Sequence, residues 1–322
     1  MLSVTARGAT ALLIAMALVL LATPWAIQWL RKLKARQSIR EDAPQTHQTK
    51  AGTPTMGGLV MLAALVTATL AVAGWNVLTG PALAVTLLFG AIGFVDDLLI
   101  ARRGKNLGLR AREKMVLQLL CAALFVFFVR RVLPPLPLNV APWLGFAPLG
   151  LVPSSVLDVL FLVGLANAVN FSDGLDGLAA GLTAIAAVVV VLLLPPGMQG
   201  SLGVFVLAVA GACLGFLWYN GNPARIFMGD TGSLALGGAL GAVAVITNLE
   251  VLFLVLGGVY WMELLSVVIQ VAYFKRTGRR VFRMSPIHHH FELSGWSEPR
   301  IVTRFWLMGA AFGGVALLIA GW

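Results

Sequence analysis

Long apolar runs broken by short polar stretches set the pattern of this 322-residue chain. A helix needs roughly 20 apolar residues to cross about 30 Å of hydrocarbon. By that measure the pattern predicts ten spans, at residues 9–30, 55–73, 80–99, 115–133, 154–169, 177–195, 201–219, 233–247, 250–272 and 302–321. Backbone groups in lipid must be satisfied within their own segment, which favours the α-helix. Strand-period alternation is absent, which argues against a β-barrel. The expected fold class is therefore an all-α integral membrane protein, a single polytopic domain over residues 1–322. The first run lacks a clear small-residue cleavage site and is followed by Arg31, Lys32, Lys34 and Arg36, so it is expected to be retained.

Composition agrees with this reading: 59% of residues are hydrophobic and 11% charged, with a mean hydropathy of +0.91. A soluble domain carries about 25% charged residues. The net charge of +10 is unevenly spread. Six Lys/Arg fall in residues 31–54, six in 99–114 and seven in 273–304, whereas the loops at 74–79, 134–153, 196–200 and 248–249 hold none. Basic and bare loops thus alternate. The positive-inside rule places the basic ones in the cytoplasm and both termini on the periplasmic side. Attraction to anionic lipid accounts for part of the same pattern. Nucleic acid is not an expected partner, because the basic residues are divided among membrane loops and no nucleic-acid motif accompanies them. Cys121 and Cys213 both fall inside spans and read as packing residues. The Pro-rich, uncharged stretch 134–153 reads as an external loop.

Only thirteen residues are acidic, and five of them, Asp96, Asp97, Asp173, Asp176 and Asp230, fall at span ends on the basic side. A carboxylate at membrane depth is costly and points to function by default. In "GFVDDLL" the adjacent Asp96 and Asp97 repel unless a cation or donor separates them; a helix end meeting water is the plainer alternative. In "NFSDGLDG" Asp173 can cap the next helix, with Asp176 close by on the same side. In "NPARIFMGDTGS" Asp230 opens an apolar helix whose free N–H groups would favour phosphate. Oxygen ligands of this kind suit Mg²⁺ held by one or two carboxylates together with substrate phosphates. The spacing of an EF-hand and the P-loop GxxxxGK[ST] are both missing.

"PIHHHFELSGW" places His288, His289 and His290 on the same side. Without HExxH or a neighbouring cysteine a zinc site has little support. A structural histidine remains an alternative for one of the three. Otherwise imidazole N–H groups, with nearby Arg or Lys, can hold phosphate oxygens at little desolvation cost.

Taken in order, "KAGTPTMGG", "GFVDDLL", "NAVNFSDGLDGLA", "NPARIFMGDTGSLALGG", "ELLSVVIQVAYFK" and "RMSPIHHHFELSGW" span residues 50–296. The set resembles the phospho-N-acetylmuramoyl-pentapeptide transferase family of the polyprenyl-phosphate N-acetylhexosamine-1-phosphate transferase superfamily. The DD, DGLDG and MGDTGS pieces are shared across the superfamily, while TPTMGG and PIHHHFELxGW point to this branch. The resemblance implies transfer of phospho-MurNAc-pentapeptide from UDP-MurNAc-pentapeptide to undecaprenyl phosphate in the bacterial inner membrane. The products would be lipid I and UMP, and the cofactor Mg²⁺. It implies Asp230 as the Mg²⁺ ligand, and Asp96 and Asp97 as the pair handling the lipid phosphate, one of them proposed as base. A phosphate monoester is already largely ionised near pH 7, its second pKa being about 6, so positioning and charge neutralisation matter more than proton removal. Asp173, Gly174, Leu175 and Asp176 are carried over to the nucleoside pocket, and Phe227 to the ring stacked on uracil. Lys50, Lys114, Asn170, Asn222 and Gln270 are further substrate-binding positions. His288, His289 and His290 are expected at the sugar phosphate. Gly257-Gly258 is expected to break the ninth span as in the family, and the role of Glu263 stays open. The expected partners are the two substrates and the bilayer, with a homodimer left open. A relative acting on another UDP-HexNAc, a transporter and a scaffold are the competing readings; a transporter would place its charges nearer the bilayer midplane.

Overall fold

A computed structural model describes residues 4–32, 52–103, 108–133 and 150–321. Among these the chain is entirely helical: α1 (Val4–Lys32), α2 (Gly58–Val72), α3 (Thr79–Arg103), α4 (Ala111–Val132), α5 (Leu151–Ser172), α6 (Leu178–Leu193), α7 (Leu202–Asn220), α8 (Gly229–Thr247), α9 (Glu250–Leu256), α10 (Gly258–Thr277), α11 (Ile287–Glu292) and α12 (Glu298–Ile319). Every segment expected to be apolar is helix. Seven helices are long and apolar enough to cross a bilayer, or eight if α9 and α10 count as one bent span. The chain is therefore a multi-span membrane protein. Two of the ten expected spans, α2 and α6, have 15 and 16 residues. At 1.5 Å per residue they are only about 22–24 Å long, short of the hydrocarbon thickness. The ninth span turns by 82° at Gly257.

The ends of the helices follow from local chemistry. Arg31 and Lys32 close α1, Arg102 and Arg103 close α3, and Lys275 and Arg276 close α10, each favourable to the negative end of the helix dipole. Gly278, in the left-handed region, stops α10. Helix α8 lies at the centre, with every residue from Thr231 to Thr247 buried. It packs against α3 and α5, while α1 packs on α7 and α2, and α12 covers α6 and α9. Burial of α8 on all sides follows from its run of Gly and Ala, which lets neighbouring backbones come close. At Gly93 of α3, a Cβ would lie 2.0 Å from the carbonyl oxygen of Asp230, so only glycine lets α3 reach the start of α8.

Arg7, Arg130 and Arg131 are basic residues at the helix ends whose connecting loops are bare. Arg130 is neutralised within the bundle: its Nε and Nη2 lie 2.8 and 2.7 Å from Asp158 Oδ2, with both side chains buried. The two cysteines are free, Cys213 buried in α7 and Cys121 half-buried in α4. Of the 134–153 stretch, residues 134–149 lie outside the described residues, and Leu151 to Pro153 open α5.

Candidate active site

Four helix ends meet at one place. The C-terminal end of α3 brings Asp96 and Asp97, the N-terminal turn of α4 brings Lys114, the last turn of α5 brings Asn170, and the first turn of α8 brings Asp230. Lys114 Nζ rests on Asp230 Oδ2 and lies 3.8 Å from Asp96 Oδ2. Asn170 Nδ2 donates to Asp230 Oδ1 and to Ser233 Oγ, both at 2.8 Å. Asp96 Oδ1 accepts the Leu109 N–H at 2.6 Å, which ties the segment leading into α4 to the end of α3. The Asp230 side chain keeps 26% of its surface exposed and Lys114 keeps 17%, so the cluster is open on one side.

Just beyond α5, the loop 173–177 adds a further carboxylate. Burial, reinforced by the charges of Asp230, Asp97 and Asp176, pushes Asp173 well above the usual carboxylate range. The loop is stitched to the segment before α8. Asp176 Oδ2 accepts from Asn222 Nδ2 (3.1 Å) and the Ala224 N–H (3.0 Å), and Glu298 Oε1 accepts the Asp176 N–H at 2.7 Å. Asn220 Oδ1 accepts the Gly177 N–H at 3.0 Å, and its Nδ2 donates to the Ile226 carbonyl at 2.9 Å. The 52–57 segment pairs with the same stretch. Phe227 N–H donates to the Pro54 carbonyl, and Gly57 and Gly58 N–H groups donate to the carbonyls of Phe227 and Met228. Phe227 is half-buried and Leu175 is buried.

The three histidines do not act alike. They lie on the short helix α11, where consecutive side chains point about 100° apart. His288 is fully buried, with Nδ1 3.0 Å from Glu263 Oε2, so the open position of Glu263 becomes the partner of this imidazole. A Cβ on Gly174 would lie 2.3 Å from His288 Nε2. Glycine in the "DG" pair is therefore what lets the 173–177 loop rest on that ring. His289 Nδ1 is 2.6 Å from Glu292 Oε2, and His290 Nδ1 accepts the Arg283 N–H at 3.2 Å. Gln270 Oε1 accepts the Val281 and Phe282 N–H groups, and its Nε2 donates to the Phe282 carbonyl, holding the turn between α10 and α11. Lys50 lies outside the described residues.

The structure thus gathers Asp96, Asp97, Lys114, Asn170 and Asp230 directly, and joins Asp173, Gly174, Asp176 and Asn222 to them through the loop. Sequence reasoning missed Asn220, Thr231, Ser233 and Glu298. Only the placement of Thr231 and Ser233 in "GDTGS" hinted at helix-start chemistry. Two of the N–H groups expected to be free for phosphate at the start of α8 are taken. Asp97 accepts the Asp230 N–H at 3.1 Å and the Thr231 N–H at 2.9 Å.

Fold and site together define a multi-span helical membrane protein with an acidic, lysine-balanced cluster at one end of its bundle. By sequence the chain belongs to the phospho-N-acetylmuramoyl-pentapeptide-transferase family. The model of Glycosyl transferase family 4 matches residues 78–248, and Phospho-N-acetylmuramoyl-pentapeptide-transferase signature 1 matches residues 50–62. A phospho-N-acetylmuramoyl-pentapeptide-transferase of Geobacillus kaustophilus (strain HTA426) is 50% identical over 325 residues, covering 97% of this chain and 98% of the relative. Relatives of the same name from Geobacillus thermodenitrificans (strain NG80-2) and Heliobacterium modesticaldum (strain ATCC 51547 / Ice1) are 48% and 47% identical. They cover 97% and 95% of this chain, and 98% and 96% of their own lengths.

Proposed function

We propose that this transferase moves phospho-MurNAc-pentapeptide from UDP-MurNAc-pentapeptide onto undecaprenyl phosphate, forming lipid I and UMP for peptidoglycan synthesis. The observation that carries the reading is the meeting of Asp96, Lys114, Asn170 and Asp230, from four helices, in a chain half identical to transferases of that name. An oxygen of the acceptor phosphate attacks the β-phosphorus of the donor. The bond from that phosphorus to the bridging oxygen breaks, and UMP leaves with the electron pair. One phosphoanhydride is exchanged for another, so no oxidant or added energy source enters.

Catalysis of this kind rests on positioning and charge neutralisation. Asp230 is the proposed Mg²⁺ ligand. Among the described residues no group of three or more His, Cys, Asp or Glu forms a metal cage. Mg²⁺ commonly takes one or two carboxylates and completes its shell with water and substrate phosphate. The donor set fits: it is all oxygen, open on one side, and already holds a cation between Asp96 and Asp230, the Lys114 ammonium. Bound there, Mg²⁺ would supply the charge that offsets the pyrophosphate oxygens. Lys114, reaching between the two carboxylates, is placed to give its ammonium to a phosphate oxygen. Asn170 holds Asp230 in register through the bond to Oδ1. Phe227 and the 173–177 loop form the proposed nucleoside wall, with His289 and His290 on the sugar-phosphate side. The basic loops face the cytoplasm of a bacterial inner membrane, and the site opens there.

Purified protein given UDP-MurNAc-pentapeptide, undecaprenyl phosphate and Mg²⁺ is expected to release UMP and form a lipid-linked product. Transfer from UDP-GlcNAc, and none from UDP-MurNAc-pentapeptide, would replace this reading with that of the related HexNAc enzymes.

A further inference from the structure

Asp96 and Asp97 are neighbours in sequence, but their carboxylates are used differently. Asp97 is buried and accepts three bonds from one place, the first turn of α8. Its Oδ1 takes the Asp230 N–H at 3.1 Å, and its Oδ2 takes the Thr231 N–H at 2.9 Å and the Thr231 hydroxyl at 2.6 Å. These N–H groups have no partner within their own helix, and a carboxylate facing them also meets the positive end of the helix dipole. The contact crosses 133–134 residues of chain and joins α3 to α8 beside the Gly93–Asp230 backbone approach. Asp96 has other partners: its Oδ1 accepts the Leu109 N–H at 2.6 Å, and its Oδ2 lies 3.8 Å from the Lys114 ammonium that also rests on Asp230.

We infer that Asp97 is a positioning residue: it caps α8 from α3, fixes the backbone that carries Asp230, and leaves the reacting phosphates to Asp96, Lys114 and Asp230. This deepens the proposed function and rests on Asp230 as the metal ligand. It departs from the family resemblance, which implies that both aspartates handle the lipid phosphate. A carboxylate already accepting three donors has little capacity left for a fourth group. A substrate phosphate beside it would meet like charge with no donor between them.

Hydrogen exchange of the full chain over residues 228–234 reads the cap directly, with neither metal nor substrate present. Asp97→Ala is expected to speed exchange at the Asp230 and Thr231 amides by about tenfold, the scale of losing a helix cap, while Asp96→Asn leaves them unchanged. Thr231→Val, a milder variant that keeps Asp97, is expected to weaken Mn²⁺ binding, measured by electron paramagnetic resonance, by about threefold. It should raise by the same factor the Mg²⁺ concentration giving half-maximal UMP release, and Thr231→Ser should restore both. Added to Asp97→Ala, Thr231→Val should have little further effect, since Asp97→Ala already removes the Thr231 hydroxyl bond that Thr231→Val breaks. Unchanged exchange in Asp97→Ala, or a harmless Thr231→Val beside an Asp97→Ala that stays inactive at saturating Mg²⁺, would assign Asp97 to the substrate and overturn the inference. A parent protein that releases no UMP would sink the reaction reading alone, because the exchange and Mn²⁺ measurements still decide what Asp97 does.

Discussion

Two groups of opposite charges stand at the two ends of the bundle, and they are built differently. Lys114 and Arg130 lie on the same helix, 16 residues and hence about 24 Å apart. At the first end, Lys114 is shared between Asp96 and Asp230, and the cluster is partly exposed. At the second, Arg130 gives two N–H groups to one oxygen of Asp158, both side chains are sealed, and Glu250 is buried against the pair. A shared, open ion cluster can exchange partners when a phosphate or a metal arrives. A closed pair holds helices together, and removing one member leaves a buried charge uncompensated.

If this contrast is right, damage at the first end should cost chemistry and damage at the second should cost stability. Chelation with EDTA should reduce UMP release to background, and Mg²⁺ should restore it; activity surviving thorough chelation would remove the metal from the open end. Asp230→Asn should lower turnover by at least about 10³-fold, the upper range for losing one electrostatic group in a preorganised site. Its melting temperature in detergent should stay that of the parent. Lys114→Met should cost about 10²-fold in turnover, and an effect confined to stability would make Lys114 a partner of the Arg130 kind. Gly174→Ala forces the 173–177 loop off His288, and should raise the donor KM by about tenfold, the scale of overpacking a filled site. Arg130→Met should change turnover per folded molecule by less than about twofold while costing about 3–5 kcal/mol of stability. Adding Asp158→Leu should recover most of that loss. A catalytic defect in folded Arg130→Met would erase the distinction between the two ends.

The apolar pattern alone carried the helices, because a membrane span is a local property of composition and length. Boundaries shifted where polar residues extend a helix. α5 continues to Ser172, so Asn170 points from a helix, and α8 begins at Gly229, so Asp230 sits in its first turn. The convergence of Asp96 and Asp230 was legible as charge at span ends, and from the motif resemblance. What stayed hidden was the use of each group. Nothing in "VDDLL" says that one aspartate caps a helix 133–134 residues away while its neighbour faces a lysine, since that is decided by how α3 and α8 dock. Likewise three adjacent histidines looked like one phosphate wall. The helix they form turns His288 inward to Glu263, as the 100° step between neighbours requires.

The missing Cβ atoms at Gly93 and Gly174 have a consequence for genetics. Each glycine touches a functional segment from behind, one against the Asp230 carbonyl and the other against the His288 ring. A screen for inactivating alleles would recover them alongside the aspartates, although neither supplies a group to the reaction. Loss-of-function maps of such motifs therefore trace the outline of the scaffold as well as the reagents, and protein level together with Mn²⁺ affinity would be needed to tell the two kinds of allele apart.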